Sequence, residues 1–345
     1  VKEKHQYNFQ RNEMKNFLRG KIIDIHSHAG ISIKAYMNME YPYATTIEGI
    51  AFRQQVYGVD VNVVFPYSPD LFFDPVYLKK GICRISKNPV SSAPYLIENE
   101  LLLKEVYEFC PEYEGRFLPF ISVDPVRCVK KQVKNILELE KKYKIYGIKI
   151  VPVVCQSSIL GLLDEGKQFI EIAKERNWPF LIHTTVHPVE NFSHAKLVFR
   201  VIDKNPDIKF CLAHCIGFDK NYLQAADQLE NVWVDTSALK IQVQLAKENN
   251  PVAASPEQRF DADYNDHKKV LEALVESFPD TIIWGTDTPA YSYIAKRKQG
   301  TGKNSFVDLW LKGTYKDEVE ALMHLPEQKR IKISNTNSME FLFDR

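Results

Sequence analysis

The chain has 345 residues, 45% hydrophobic and 26% charged, the profile of a globular protein able to bury a sizeable core. Lys+Arg 45 against Asp+Glu 44 leave a formal net charge of +1, which removes the electrostatic argument for a nucleic-acid partner. No run reaches the roughly 18 apolar residues of a membrane span, and residues 1–20 lack the apolar middle of a secretory signal, so no membrane partner is expected.

Taken in chain order, short apolar and β-branched runs predict strands at Ile22–Ile25, Val61–Phe65, Phe117–Val123, Gly147–Val151, Pro179–Ile182, Lys209–Ala213, Val232–Asp235 and Thr281–Trp284. Most are continuously apolar rather than alternating, as expected of strands covered on both faces in a parallel sheet. Helical periodicity falls between them. Cys128–Tyr143 places Val129, Val133, Ile136 and Leu137 on one face, and Leu162–Arg176, Ala195–Asp203 and His267–Phe278 behave alike. Strand-then-helix alternation predicts right-handed βαβ units. Eight of them fit an α/β fold of the closed (β/α)8 TIM-barrel type, whose usual size is about 250 residues. A doubly wound open sheet is the competitor. It would usually carry a glycine-rich phosphate turn after its first strand, where this chain has Asp24-Ile25-His26-Ser27-His28.

The expected organisation is an extension over 1–20, then one barrel domain over 21–345, closed by small helices within Leu325–Arg345. The chain starts at Val1, which leaves an upstream segment open. The longest expected loops are Ile31–Thr46, Pro66–Ala93, Lys240–Asp266 and Pro289–Asn304, which a barrel places on its catalytic face. Their aromatics (Tyr36, Tyr41, Tyr43, Tyr67, Phe72, Phe73, Tyr291, Tyr293) suit a partly apolar, ring-accepting pocket, and loop packing explains them equally well. Cys83, Cys110, Cys128, Cys155, Cys211 and Cys215 are scattered, as free thiols in a reducing, cytoplasmic compartment would be. Cys211 and Cys215 have no second pair to complete a four-thiolate site.

The polar residues at the strand ends carry the chemistry. His26 and His28 follow the first strand, His183 ends the fifth with His187 in the loop beyond, His214 ends the sixth, and Asp287 follows the eighth. Alternate residues of a strand share a side, so His26 and His28 can both face the barrel mouth. Neutral imidazoles with one carboxylate suit a borderline divalent ion such as zinc, and a site of three histidines and one aspartate leaves room for a water or substrate oxygen. A lone strand-end histidine is usually a packing residue; this set, in the order of the strands, is read as a metal site.

The motifs Asp24-Ile25-His26-Ser27-His28, Gly147-Ile148-Lys149-Ile150, Ile182-His183, Ala213-His214, Val234-Asp235-Thr236-Ser237 and Gly285-Thr286-Asp287-Thr288-Pro289 span almost the whole chain. Together the sequence resembles the amidohydrolase superfamily, and more narrowly the amidohydrolase-related branch that includes aminocarboxymuconate-semialdehyde decarboxylase, aromatic-acid decarboxylases and small lactone hydrolases. The resemblance implies that His26, His28, His183 and Asp287 hold one divalent metal, zinc first and manganese or another ion as alternatives. It implies that His214 binds substrate or stabilises developing negative charge, and that Asp287 also accepts a proton from the bound water. Binuclear relatives carry a carbamylated lysine on the fourth strand. Lys149 is on that strand, though early in it, so a single metal is favoured, with a barrel-interior lysine touching a carboxylate or substrate as the other reading.

Weaker substrate-binding candidates are His187, Arg53 as a bidentate partner for a carboxylate, and Arg297 in the run Lys296-Arg297-Lys298 near Gly300 and Gly302. The bland readings are a solvated loop histidine, a helix-packing arginine and a solvated loop. Asp124 reads equally as a turn or capping residue, and Asp235 as one that orients a neighbour. The leading expectation is a metal-dependent hydrolase in which metal-bound hydroxide attacks a small-molecule amide, lactone or ester. The alternatives are non-oxidative decarboxylation of a small unsaturated or aromatic acid, and an inactive barrel that binds metal or ligand. Partners are a small-molecule substrate and an optional second copy of the chain.

Overall fold

Eight parallel strands form where the apolar runs predict them, in a computed structural model that describes residues 12–38, 40–291, 293–298 and 306–344. They are β1 (Ile23–Ile31), β4 (Val61–Pro66), β5 (Phe117–Ser122), β6 (Gly147–Ile150), β7 (Phe180–Ile182), β8 (Phe210–Leu212), β9 (Val232–Asp235) and β10 (Ile282–Ile283). Between β1 and β4 lie the short strands β2 (Glu40–Tyr41) and β3 (Ala44–Thr45). The sheet runs β10-β9-β8-β7-β6-β5-β4-β1-β3, with β3 antiparallel on β1. The curl closes because β1 also bonds the chain that follows β10: Ile25 N donates to Trp284 O at 3.2 Å, Asp287 N to His26 O at 2.8 Å and His28 N to Thr288 O at 2.7 Å. Gly285 sits on this seam, where a Cβ would lie 3.0 Å from that of His26, so glycine lets the two edges meet.

Parity along each strand sorts the core. Ile23, Ile25, Val61, Val63, Phe65, Leu118, Phe120, Leu181, Cys211, Trp233 and Ile283 fill the barrel interior, and Phe341 and Leu342 of the last helix (Asn337–Phe343) pack against them. Ile148, Ile150, Phe180, Ile182, Phe210, Leu212 and Val234 face the surrounding helices. This two-sided burial is why the strands read as unbroken apolar runs. A helix over 12–18 precedes β1, and its Leu18 is buried in the interior cluster.

Three expectations need correction. The first strand continues to Ile31, so His26 and His28 lie within it; a register shift between Asp24 and Ser27 lets it go on pairing with β4 through Ala29 and Pro66. The segment Lys240–Asp266 is not all loop, since Leu239–Lys247 is a helix that buries Leu239, Ile241, Val243 and Leu245. Pro289–Asn304 contains β11 (Tyr293–Lys298), which pairs antiparallel with β12 (Phe306–Leu311) and with β2. The run Lys296-Arg297-Lys298 is therefore strand; Gly300, Gly302 and the Arg297 side chain lie outside the described residues. All six cysteines are free, with Cys83, Cys155, Cys211 and Cys215 buried. Among the described residues no helix is long and apolar enough to cross a membrane.

Candidate metal centre

The interior parity of the strands carries polar groups upward into the mouth. Leu181 faces inward, and two residues on so does the position of His183; Trp233 leads in the same way to Asp235, and Ile283, four residues earlier, to Asp287. Lys149 points inward between the outward Ile148 and Ile150. The register shift in β1 brings His26 to the inner side although Ile25 also faces inward. His214 and Asp287 are turned by left-handed backbone, both at φ 63, and such strain in non-glycine residues gathers at functional sites.

His26 is fixed from behind. Its Nδ1 lies 2.8 Å from Asp235 Oδ2, and Asp235 Oδ1 takes the backbone N–H of His214 at 3.0 Å and that of Ser237 at 3.0 Å. Burial pushes the Asp235 carboxyl up, but facing His26, His214 and Lys149 outweigh it and leave it well below the ordinary range, hence ionised. An ionised Asp235 accepts the proton on His26 Nδ1 and leaves a lone pair on Nε2. His28 Nδ1 faces Pro66 O at 3.3 Å, and a carbonyl can only accept, so His28 Nε2 is also a lone pair. Burial lowers the pKa of both rings, that of His26 to about 4, which keeps them neutral.

The two lone pairs converge on one oxygen. Asp287 Oδ1 lies 3.3 Å from His26 Nε2 and 3.2 Å from His28 Nε2, and it makes no hydrogen bond among the described residues. Three buried acceptors around one point repel one another unless a cation lies among them. The donor set of two imidazoles and a carboxylate fits a divalent ion such as zinc. Lys149 Nζ, 3.1 Å from His26 Nε2, is the cation already at hand; burial pushes its pKa down to about 8 despite Asp235 and Asp287.

His183 stands beside this group rather than in it. Its Nδ1 meets His214 Nε2 at 3.0 Å, while His214 Nδ1 lies 2.9 Å from Ser237 Oγ and 3.9 Å from Asp287 Oδ2. Burial, then His214, keeps the His183 pKa well below its ordinary value. The structure thus gathers His26, His28 and Asp287 within ligand distance and links His183 to them through His214.

His187 lines the cavity into which His26, His28 and Asp287 open, and accepts from Val189 N through its Nδ1 at 3.3 Å. Arg53 is not among the lining residues. It lies in the helix Ile47–Tyr57, donates to Gly49 O at 3.0 Å and also hydrogen-bonds Tyr291. Asp124 caps a turn: its carboxylate takes Val126 N at 2.9 Å, Arg127 N at 3.1 Å and Arg127 Nη1 at 2.7 Å. The sequence reading gave no role to Asp24, which accepts from His26 N at 3.1 Å, Asn62 Nδ2 at 2.8 Å and Thr286 Oγ1 at 2.7 Å. It ties β1, β4 and the chain after β10 together beneath the centre. Its place two residues before His26, on the same face of a regular strand, was the available signal, and the register shift obscured it.

A sequence model of the amidohydrolase family matches residues 98–343. No curated protein matches the sequence. Among solved structures the chain is similar to a 2,6-dihydroxybenzoate decarboxylase in complex with 2,6-dihydroxybenzoate, at 12% identity and TM-score 0.57, covering 93% of this chain and 98% of that one. It is similar to the 5-carboxyvanillate decarboxylase of Sphingomonas paucimobilis, at 10% identity and TM-score 0.54, with 93% and 98% covered. It is also similar to the dihydroorotase of Campylobacter jejuni, at 15% identity and TM-score 0.52, with 93% and 82% covered. At these identities the likeness is one of fold: all three share the barrel.

Proposed function

The chain belongs to the amidohydrolase family, and from that premise we propose that it is a metal-dependent hydrolase of a small-molecule ester, lactone or amide. The observation that carries the proposal is the convergence of His26 Nε2, His28 Nε2 and the unbonded Asp287 Oδ1 at the floor of a cavity of about 690 Å3, a size suited to small molecules. His26, His28 and Asp287 would hold the ion, with His183 as a fourth ligand were it to give up its bond to His214. A divalent ion held there supplies a Lewis acid and an acidified water.

The rest of the chemistry falls to the chain's own groups. Ionised Asp287 keeps Oδ2 free to take the proton of the attacking water and return it to the leaving group. His214, anchored by Ser237, borders the same point and stabilises the oxyanion that forms at the carbonyl. Asp235 holds the His26 tautomer, and burial of the whole set strengthens each of these interactions.

Decarboxylation of a small acid is the second reading. It is favoured by Lys149, a buried cation able to meet a carboxylate at the floor, and by the activity named for two of the similar structures. The metal-loaded protein, offered esters, lactones, amides and unsaturated or aromatic acids in oxygen-18 water, separates the two. The hydrolase reading predicts solvent label in the acid product. Carbon dioxide released with no solvent oxygen in the organic product would assign the site to decarboxylation instead.

A further inference from the structure

The cavity lining is of two kinds. Titratable groups gather at the floor, where His26, His28, Lys149, His183, His214 and Asp287 meet. The rest is largely apolar and comes from separate parts of the chain, with Val151 and Val154 after β6, Val189 and Phe192 after β7, Leu245 in the helix after β9 and Leu311 at the end of β12, interspersed with the neutral side chains of Gln156, Thr185, Gln242 and Asn250. Of the loop aromatics singled out in the sequence, only Tyr67 is among the described lining residues, stacked on His28 with ring centroids 4.9 Å apart. Lys149 is the one cation among those lining residues, and it is spent at the floor on His26. Glu190, also in the lining, already accepts from Phe192 N and Ser193 N.

A substrate consisting only of a carbonyl and its immediate substituents would occupy the floor and leave the apolar lining in contact with water. A carboxylate at the far end would meet no lysine or arginine there among the described lining residues. Resting on the hydrolase reading above, we propose that the substrate is an uncharged carbonyl compound carrying an alkyl body, the body lying against the Val154, Val189, Phe192 and Leu245 wall while the carbonyl reaches the floor.

Two homologous series test this with the metal-loaded protein. Phenyl esters from acetyl to octanoyl report turnover. Alkyl phenyl ketones with the same chains keep the carbonyl but have no bond to hydrolyse, and their binding is read by calorimetry. Each buried methylene should raise kcat/KM, and lower the ketone Kd, by about twofold to fourfold until the wall is covered. A carboxylate at the chain end should cost more than about tenfold. Val154→Asp, at a half-buried wall position, should flatten both series.

A flat ketone series, or a preference for the carboxylated ester, would overturn the proposal. Chain-dependent ketone binding with no ester, lactone or amide hydrolysed would uphold the apolar wall and remove the hydrolase reading. Hydrolysis with a flat ketone series would do the reverse.

Discussion

Asp235 makes the centre selective at the scale of single residues. Its bond of 2.8 Å to His26 Nδ1 decides which imidazole nitrogen is left for an ion. Asp235→Asn removes the charge that fixes this tautomer, and metal affinity should fall about tenfold to a hundredfold while the fold persists; titration against a chelator of known affinity reads this out. Unchanged affinity would mean that His26 is oriented by other means. His26, His28, His183, His214 and Asp287 were legible in the sequence because each sits at the end of an apolar strand run. The bond between His183 and His214, and the clasp of Asp24 on Asn62 and Thr286, were not legible, because they join residues whose distance depends on how neighbouring strands register. Lys149 could be placed on its strand, but its contact with His26, 123 positions away, required the closed barrel.

Among the elements, the strands were the easy part, since burial on both faces writes itself as an unbroken apolar run. The helix Ala195–Asp203 starts and stops at the predicted residues because Val198, Val201 and Ile202 mark one buried face. The small sheet of β2, β11 and β12 was missed because its pairing of Tyr41 with Ile294 joins loops far apart in sequence and leaves no local periodicity. The helix Leu96–Lys104 carries a separate prediction. Burial pushes its Glu98 carboxyl up to about 7 from an ordinary 4.5, against the smaller opposing pull of backbone N–H groups. Below about pH 4.5 the folded and unfolded chains both hold this proton and Glu98 has no effect on stability. As pH rises toward 7 the unfolded chain ionises first, so stability is lost across that window. Glu98→Gln should therefore match the wild type at low pH and exceed it by about 2–3 kcal/mol above the window. Denaturant melts at the two pH values check this, and an equal effect at both would show that the carboxyl ionises freely in the folded state.

For the molecule as a whole, the proposed centre coincides with the seam of the barrel. His26 and His28 lie on β1 and Asp287 follows β10, the two edges joined by the bridge between Ser27 and Thr288. An ion bound there would pin the closure as well as serve the chemistry, and it would bind only the folded chain. At a hundredfold excess over its Kd such binding adds about 2.7 kcal/mol. For a chain of this length, stripping the ion with a chelator should then lower Tm by about 4 °C, and restoring zinc should reverse the shift. A Tm indifferent to chelation would detach the seam from metal binding. The most direct test of the whole account is metal content after zinc loading and removal of free ion, measured on the wild type beside His26→Ala and Asp287→Ala variants whose melting shows them folded. The account predicts about one equivalent per chain in the wild type and less than about a tenth in either variant. A full equivalent retained by both variants would contradict it.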